Sequence, residues 1–142
     1  MVIMKLEHLI EAYKYKEMKA EITKQEDKAG VIKFTDYIYA TYYEDDEIVK
    51  SIQVFANTIL SKEVNKQLEH TINLLKVLSN TIELLTNVSE DIRNTILDTL
   101  GLFNNTFKDG KQVKYNGYGY KIEIADGLIL FTIGEIDNEE DN

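Results

Sequence analysis

The spacing of apolar residues changes period three times along this 142-residue chain, and that order of periods limits its fold more than any single motif does. Over residues 5–18, Leu6, Leu9, Ile10 and Tyr13 recur every three or four positions with Lys and Glu between them. Such spacing puts them on one stripe of an amphipathic helix. Residues 19–56 switch to alternation rich in β-branched and aromatic side chains, which is strand chemistry. A short strand is expected over 20–25 and a long one over 31–43. Ile32, Phe34, Ile38, Ala40 and Tyr42 share one face of the long strand, and a bulge near Asp36 keeps that residue out of the apolar face. A third strand follows over 48–55, so the segment reads as a three-stranded antiparallel meander.

The helical period returns over residues 61–87. Val64, Leu68, Ile72, Leu75, Leu78, Ile82 and Leu85 step by three or four, with Ser61 as a candidate N-cap and a kink or break expected at Ser79, Asn80 and Thr81. Ser89 followed by Glu90 and Asp91 signals a further helix start, because a hydroxyl caps the free N–H groups and acids favour the positive end of the helix dipole. Gly101 supplies its stop. Residues 102–110 read as a loop. Alternation then resumes: Asn116-Gly117 is the strongest short hairpin signal in the chain. Tyr118, Tyr120, Ile122 and Ile124 form one strand face, and 128–133 is apolar on both faces, as in a central strand.

Strands and helices that come in separate runs argue for an α+β fold rather than a wound parallel sheet. The expected architecture is a single antiparallel or mixed sheet of five to six strands from two meanders. An N-terminal helix and two to three central helices pack mainly on one of its faces. Residues 1–134 form one domain, and 135–142 an acidic tail that frays. The expected core is Ile32, Phe34, Ile38, Ile52, Val54, Leu68, Ile72, Leu75, Ile96, Leu100, Leu130 and Phe131.

Charge is the next constraint. Residues 1–43 hold as many basic as acidic residues, so the whole net charge of −9 lies in residues 44–142. It concentrates at Glu44, Asp45, Asp46 and Glu47 and in the tail at Glu135, Asp137, Glu139, Glu140 and Asp141. Such a surface repels phosphate backbones and anionic lipid, so direct nucleic-acid and membrane binding are disfavoured and a basic protein partner is favoured. The chain has no Cys, so thiol catalysis, disulfides and Cys-based zinc sites are excluded. Its two histidines, His8 and His70, form no metal-binding spacing. No glycine pattern cradles phosphate, and no serine sits in a nucleophile motif. No signal-peptide pattern opens the chain, and no run approaches the ~18 apolar residues of a membrane span. A cytoplasmic location is expected, in host cytoplasm for a phage-encoded protein. Arg93 is the one arginine among 16 basic residues, a bias common in low-GC bacteria and their phages.

These absences favour a non-catalytic protein with no cofactor and no metal. The candidate protein-binding residues are Glu44, Asp45, Asp46 and Glu47 with Tyr37, Tyr39 and Tyr43, since tyrosines on an open strand face offer rigid amphipathic contact area. The leading expectation is a small acidic protein-binding module, in concrete form a phage- or mobile-element-encoded inhibitor. Its carboxylates would occupy a basic surface that otherwise holds nucleic acid, as in anti-CRISPR and other DNA-mimic proteins. The partner is another protein, and a homodimer is admitted. The alternative is a small-ligand-binding domain with a Tyr- and Ile-lined pocket between sheet and helices; an enzyme built on scattered carboxylates ranks third.

Overall fold

The computed structural model describes residues 4–57, 64–102, 109–125 and 127–136. The chain forms α1 (Leu6–Tyr15), β1 (Glu21–Gln25), β2 (Ala29–Lys33), β3 (Ile38–Asp45), β4 (Ile48–Asn57), α2 (Val64–Thr86), α3 (Glu90–Thr99), β5 (Gln112–Tyr115), β6 (Tyr118–Ala125) and β7 (Leu128–Glu135). The strands make one antiparallel sheet of seven, in the order β1-β2-β3-β4-β7-β6-β5. The two meanders meet where β4 pairs with β7, with Val54 opposite Phe131 and Ile52 opposite Ile133. The α+β class therefore holds, with the N-terminal helix and two further helices against the sheet.

The helices cover one face of the sheet, and among the described residues no helix packs on the other. Ile32, Ile38, Ala40, Tyr42, Ile52, Val54, Ala56, Tyr120, Ile122, Phe131 and Ile133 are buried on the covered face. Leu9 and Tyr13 of α1, Leu78, Ile82 and Leu85 of α2, and Ile96 and Leu97 of α3 close over them. Tyr13 meets Phe34 edge-on at 5.0 Å between ring centroids. Its hydroxyl lies 2.6 Å from Thr81 Oγ1, and Thr81 in turn donates to the Val77 carbonyl. That hydroxyl chain ties α1 to α2 inside the core, and burial raises the Tyr13 pKa. At the rim, Glu83 receives Arg93 at 3.2 Å and Lys16 at 3.9 Å, joining α2 to α3 and to the end of α1. Ser89 caps α3 by accepting from the Ile92 N–H, and Gly101 at φ 84° ends it, as expected.

Three features depart from the sequence expectation. The segment 31–43 is not one bulged strand. It folds back at residues 34–37, so the sheet has seven strands rather than five or six. Thr35 Oγ1 accepts from the N–H groups of Tyr37 and Ile38, and Phe34 N–H donates to the Ile38 carbonyl. A hydroxyl can thus stand in for ladder bonds and close a tight turn. The turn preserves the alternation, which is why Ile32, Phe34, Ile38, Ala40 and Tyr42 still share the buried side. Second, α2 runs unbroken through Ser79, Asn80 and Thr81, because Val77, Leu78, Thr81 and Ile82 are buried on one continuous face and tertiary packing outweighs the weak helix propensity of those residues. Third, Leu68 and Ile72 are not core: they are 56% and 54% exposed, while Leu75 and Leu130 are half-buried. The other eight expected core residues are buried. Ser61 and the tail beyond Ile136 lie outside the described residues.

Candidate functional site

Two of the sheet's hairpins use the same tight turn with opposite chemistry. Between β5 and β6, Asn116 and Gly117 both hold positive φ, 52° and 85°. Between β3 and β4, Asp46 and Glu47 hold 52° and 64°. Two-residue hairpins with both φ values positive match the right-handed twist of the strands, and Asn-Gly is the cheap way to make one. An L-residue with a side chain in this region costs about 1–2 kcal/mol. Asp46 tolerates this region much as Asn does, so the acidic turn carries one residue, Glu47, where the backbone prefers glycine, and such strain is a pointer to function.

The chain start is stitched beside this turn. Lys5 bridges to Ile48, and the Val49 N–H donates to the Met4 carbonyl at 2.8 Å. The first turn of α1 consequently stands next to the β3–β4 hairpin. Between them and the edge strand β1 lies an open groove of about 600 Å3. Leu6, Ile10 and Ile22 contribute its apolar surface. Glu7 and Glu11 of α1 and Glu44 and Glu47 of the hairpin line it with carboxylates, against the two cations of Lys5 and Lys14. A second groove of about 710 Å3 continues along α1 past Ile10 and Ile22 to Met18 and Ala20. The combined trough is apolar along its length, with more acid than base around it. Glu44 is fixed by a 2.7 Å bond from its N–H to the Lys28 carbonyl, at a bulge between Tyr43 and Glu44.

The expected binding residues do not form one surface. Glu44 and Glu47 line the groove, whereas Asp45 and Asp46 are exposed at the hairpin. Tyr39 and Tyr43 are on the face of the sheet opposite the helices. Tyr39 stacks on Phe55 at 5.7 Å, and the in-register row runs Lys33, Tyr39, Phe55, Leu130, Glu123 across five strands. Tyr37 is at the opposite end of β3 from the acidic turn, in the 34–37 turn, edge-on to His70 at 5.8 Å. Six residues of extended chain separate Tyr37 from Tyr43, about 20 Å. Alternation placed the tyrosines on one side correctly for Tyr39 and Tyr43, but the turn at 34–37 detaches Tyr37 from them.

Sequence reasoning missed the α1 half of the groove. The signal was there in Glu7 and Glu11, one turn apart on a helix, and in Ile22, a lone apolar residue in an otherwise polar strand. Glu135 of the expected tail is instead the last residue of β7, where it pairs with Lys50 at 3.6 Å. His8 is exposed beside Glu7 on α1. His70 is half-buried; desolvation lowers its pKa, and a hydrogen bond to the Asn57 backbone opposes that shift. Among the described residues no three acidic or imidazole side chains converge to hold a metal ion. At the interface of sheet and helices, where a ligand pocket was the alternative expectation, Tyr13, Ile32, Ile38, Ile52 and Tyr120 pack as core. The hydroxyl of Tyr42 is buried there with no hydrogen-bond partner among the described residues, and that of Tyr120 is turned toward the Thr86 side chain. Among those residues no helix is long and apolar enough to cross a membrane. No family model, no curated protein and no solved structure gives a match to the chain.

Proposed function

We propose that this protein is a non-catalytic binding module whose α1–hairpin groove takes a basic, apolar-anchored segment of another protein. The observation that carries the reading is the arrangement of Glu7 and Glu11 with Glu44 and Glu47 around the apolar side chains of Leu6, Ile10 and Ile22. Apolar surface supplies contact area that holds a partner, and surrounding charge of one sign governs encounter and partner choice. A peptide with Lys or Arg on both sides of a large aliphatic or aromatic residue has the matching chemistry. Glu47, held at positive φ where glycine is preferred, favours the same reading. In its narrower form the module is an inhibitor of DNA-mimic type, encoded by a phage or mobile element. It acts in the cytoplasm by blocking a surface that otherwise holds nucleic acid. The net charge of −9 supports that form.

The test is titration of the labelled protein with a Lys/Arg-rich peptide carrying one central Leu or Phe, read by NMR shift changes and by stopped-flow association. Shifts are expected at Glu7, Glu11, Ile22 and Glu47. The association rate falls as salt rises, and it loses much of that salt dependence in the variant Glu11→Gln, Glu44→Gln, Glu47→Gln. Ile22→Asp speeds dissociation instead. Duplex DNA at low salt gives no shifts. Shifts confined to the Tyr39–Phe55 row, or a triple variant that binds like the parent, would move the site elsewhere.

A further inference from the structure

We propose that α2 is the interface of a reversible homodimer, packed antiparallel against α2 of a second copy about a two-fold axis at Ile72. The inference stands apart from the acidic groove and survives its failure. Val64, Leu68 and Ile72 follow one another at intervals of four on the first half of α2, and they are 74%, 56% and 54% exposed. The row continues at helical spacing through the half-buried Leu75 to Ser79. Single exposed apolar residues are ordinary, but a row of three on one helix face is a contact surface.

The row matches itself. A two-fold contact needs a patch that is complementary to its own rotated image. With Ile72 on the axis, Leu68 of one copy comes within one residue's rise, about 1.5 Å, of Leu75 of the other, and Val64 likewise of Ser79. Beside the row, on one flank, stand the exposed Glu69 and Lys76, seven residues apart. In the same antiparallel register Glu69 of each copy likewise comes within one residue's rise of Lys76 of the other, so both flanking charges find opposite partners. Any register shifted by a full turn loses this match.

The shape agrees with the register. Beside Leu75 and Ser79 an open groove of about 520 Å3 runs between the end of α1 and Arg93 of α3, with Tyr15 at its edge. The contacts of Glu83 with Arg93 and Lys16 close the far end of that groove. The first turns of the second copy's α2, carrying Val64, enter it and cover Tyr15, which is 90% exposed. Four exposed apolar side chains per copy make a small contact, on the order of 1,000 Å2 or less for the pair. That is the size class of weak, reversible association rather than of a permanent dimer.

The test uses the chain's lack of cysteine. Sedimentation velocity from low micromolar to near millimolar concentration is expected to show a monomer–dimer equilibrium. Ile72→Lys abolishes it, with an unchanged unfolding midpoint for the monomer because Ile72 is outside the core. Glu69→Lys weakens the dimer at least fivefold by facing Lys76 with a like charge, and Glu69→Lys combined with Lys76→Glu restores it. Under mild oxidation Ile72→Cys crosslinks two copies across the axis, whereas Val64→Cys does so only when mixed with Ser79→Cys. A chain that stays monomeric throughout overturns the proposal and leaves the row to a helix of a different protein. A dimer indifferent to Ile72→Lys, or crosslinked better through Val64→Cys alone, overturns it as well.

Discussion

From Leu74 onward α2 buries Val77, Leu78, Thr81, Ile82, Leu85 and Thr86, while its first nine residues bury none. Both halves carry the same three-to-four apolar spacing. The difference lies in their neighbours. The later half has the sheet beneath it, α1 on one flank through Tyr13 and Thr81, and α3 on the other through Arg93 and Glu83. Among the described residues the early half meets the sheet side at His70, through the Tyr37 ring and the Asn57 backbone. Periodicity states which residues share a face of a helix. Whether another element is long enough to reach that face is a property of the whole fold, and α3, at ten residues, is less than half the length of α2.

Paired truncations test that contrast with the largest expected effect. Leu78→Ala or Ile82→Ala should cost about 2–5 kcal/mol, since each removes a fully buried side chain and leaves a cavity. Leu68→Ala and Ile72→Ala should change the stability of the dilute monomer by no more than about 0.5 kcal/mol. Urea unfolding at low protein concentration measures both. Equal costs in the two halves would mean that something covers the early half in solution.

The next effect separates two ends of one buried hydrogen bond. Thr81→Val leaves the Tyr13 hydroxyl buried with no acceptor, at a cost of about 1–3 kcal/mol. Tyr13→Phe removes the hydroxyl instead, and Thr81 keeps its bond to the Val77 carbonyl. That change should cost about 1 kcal/mol. The order of the two, read from urea midpoints, shows that Thr81 is the acceptor and that α1 closes over the later half of α2. Inverted costs would contradict that donor assignment.

Ser89→Ala acts on the element that covers the later half. It removes the acceptor for the Ile92 N–H at the start of α3 and should cost about 1 kcal/mol. Native-state hydrogen exchange should speed up first in α3 and then at Leu78 and Ile82, with the early half of α2 unaffected.

What the sequence made legible follows the same division. Local chemistry was readable wherever one residue dictates one geometry. Ser89 and Gly101 bound α3, Asn116-Gly117 makes its hairpin, and the alternation from Tyr118 to Ile122 gives a strand. The turn at Phe34 to Tyr37 was not readable, because it contains neither Gly nor Pro and relies on the Thr35 hydroxyl. Nor was the requirement at Gly30. A side chain there would collide with the ring of Tyr42, its cross-strand partner, and with the Lys24 carbonyl. The acidic turn was identified as a surface, but its groove needs α1 beside it. That neighbour is brought in by the Met4 and Lys5 contacts to β4, which no local pattern announces.

The smallest effect belongs to His70, at the boundary between the two halves. Its imidazole is half-buried, edge-on to Tyr37 and bonded to the Asn57 backbone, with Glu69 next to it in the chain. Loss of water is the larger influence and lowers its pKa below the ordinary value. The sign of the linkage follows. In the unfolded chain His70 takes up its proton near pH 6.5, whereas in the folded chain it resists until lower pH. The unfolded state therefore binds more protons over that interval, and stability falls as pH drops through about 6.5. Above that value the imidazole is neutral in both states and contributes no slope. His70→Asn should flatten the curve between pH 7 and the onset of carboxylate titration, about pH 5. Tyr37→Ala should do so in part, by letting water reach the ring. Urea midpoints across this window are the measurement. A parent protein with no decline over the interval would show that His70 is hydrated in solution. The early half of α2 would then stand free of the sheet altogether, and the contrast between the two halves would be sharper than the Tyr37 contact implies.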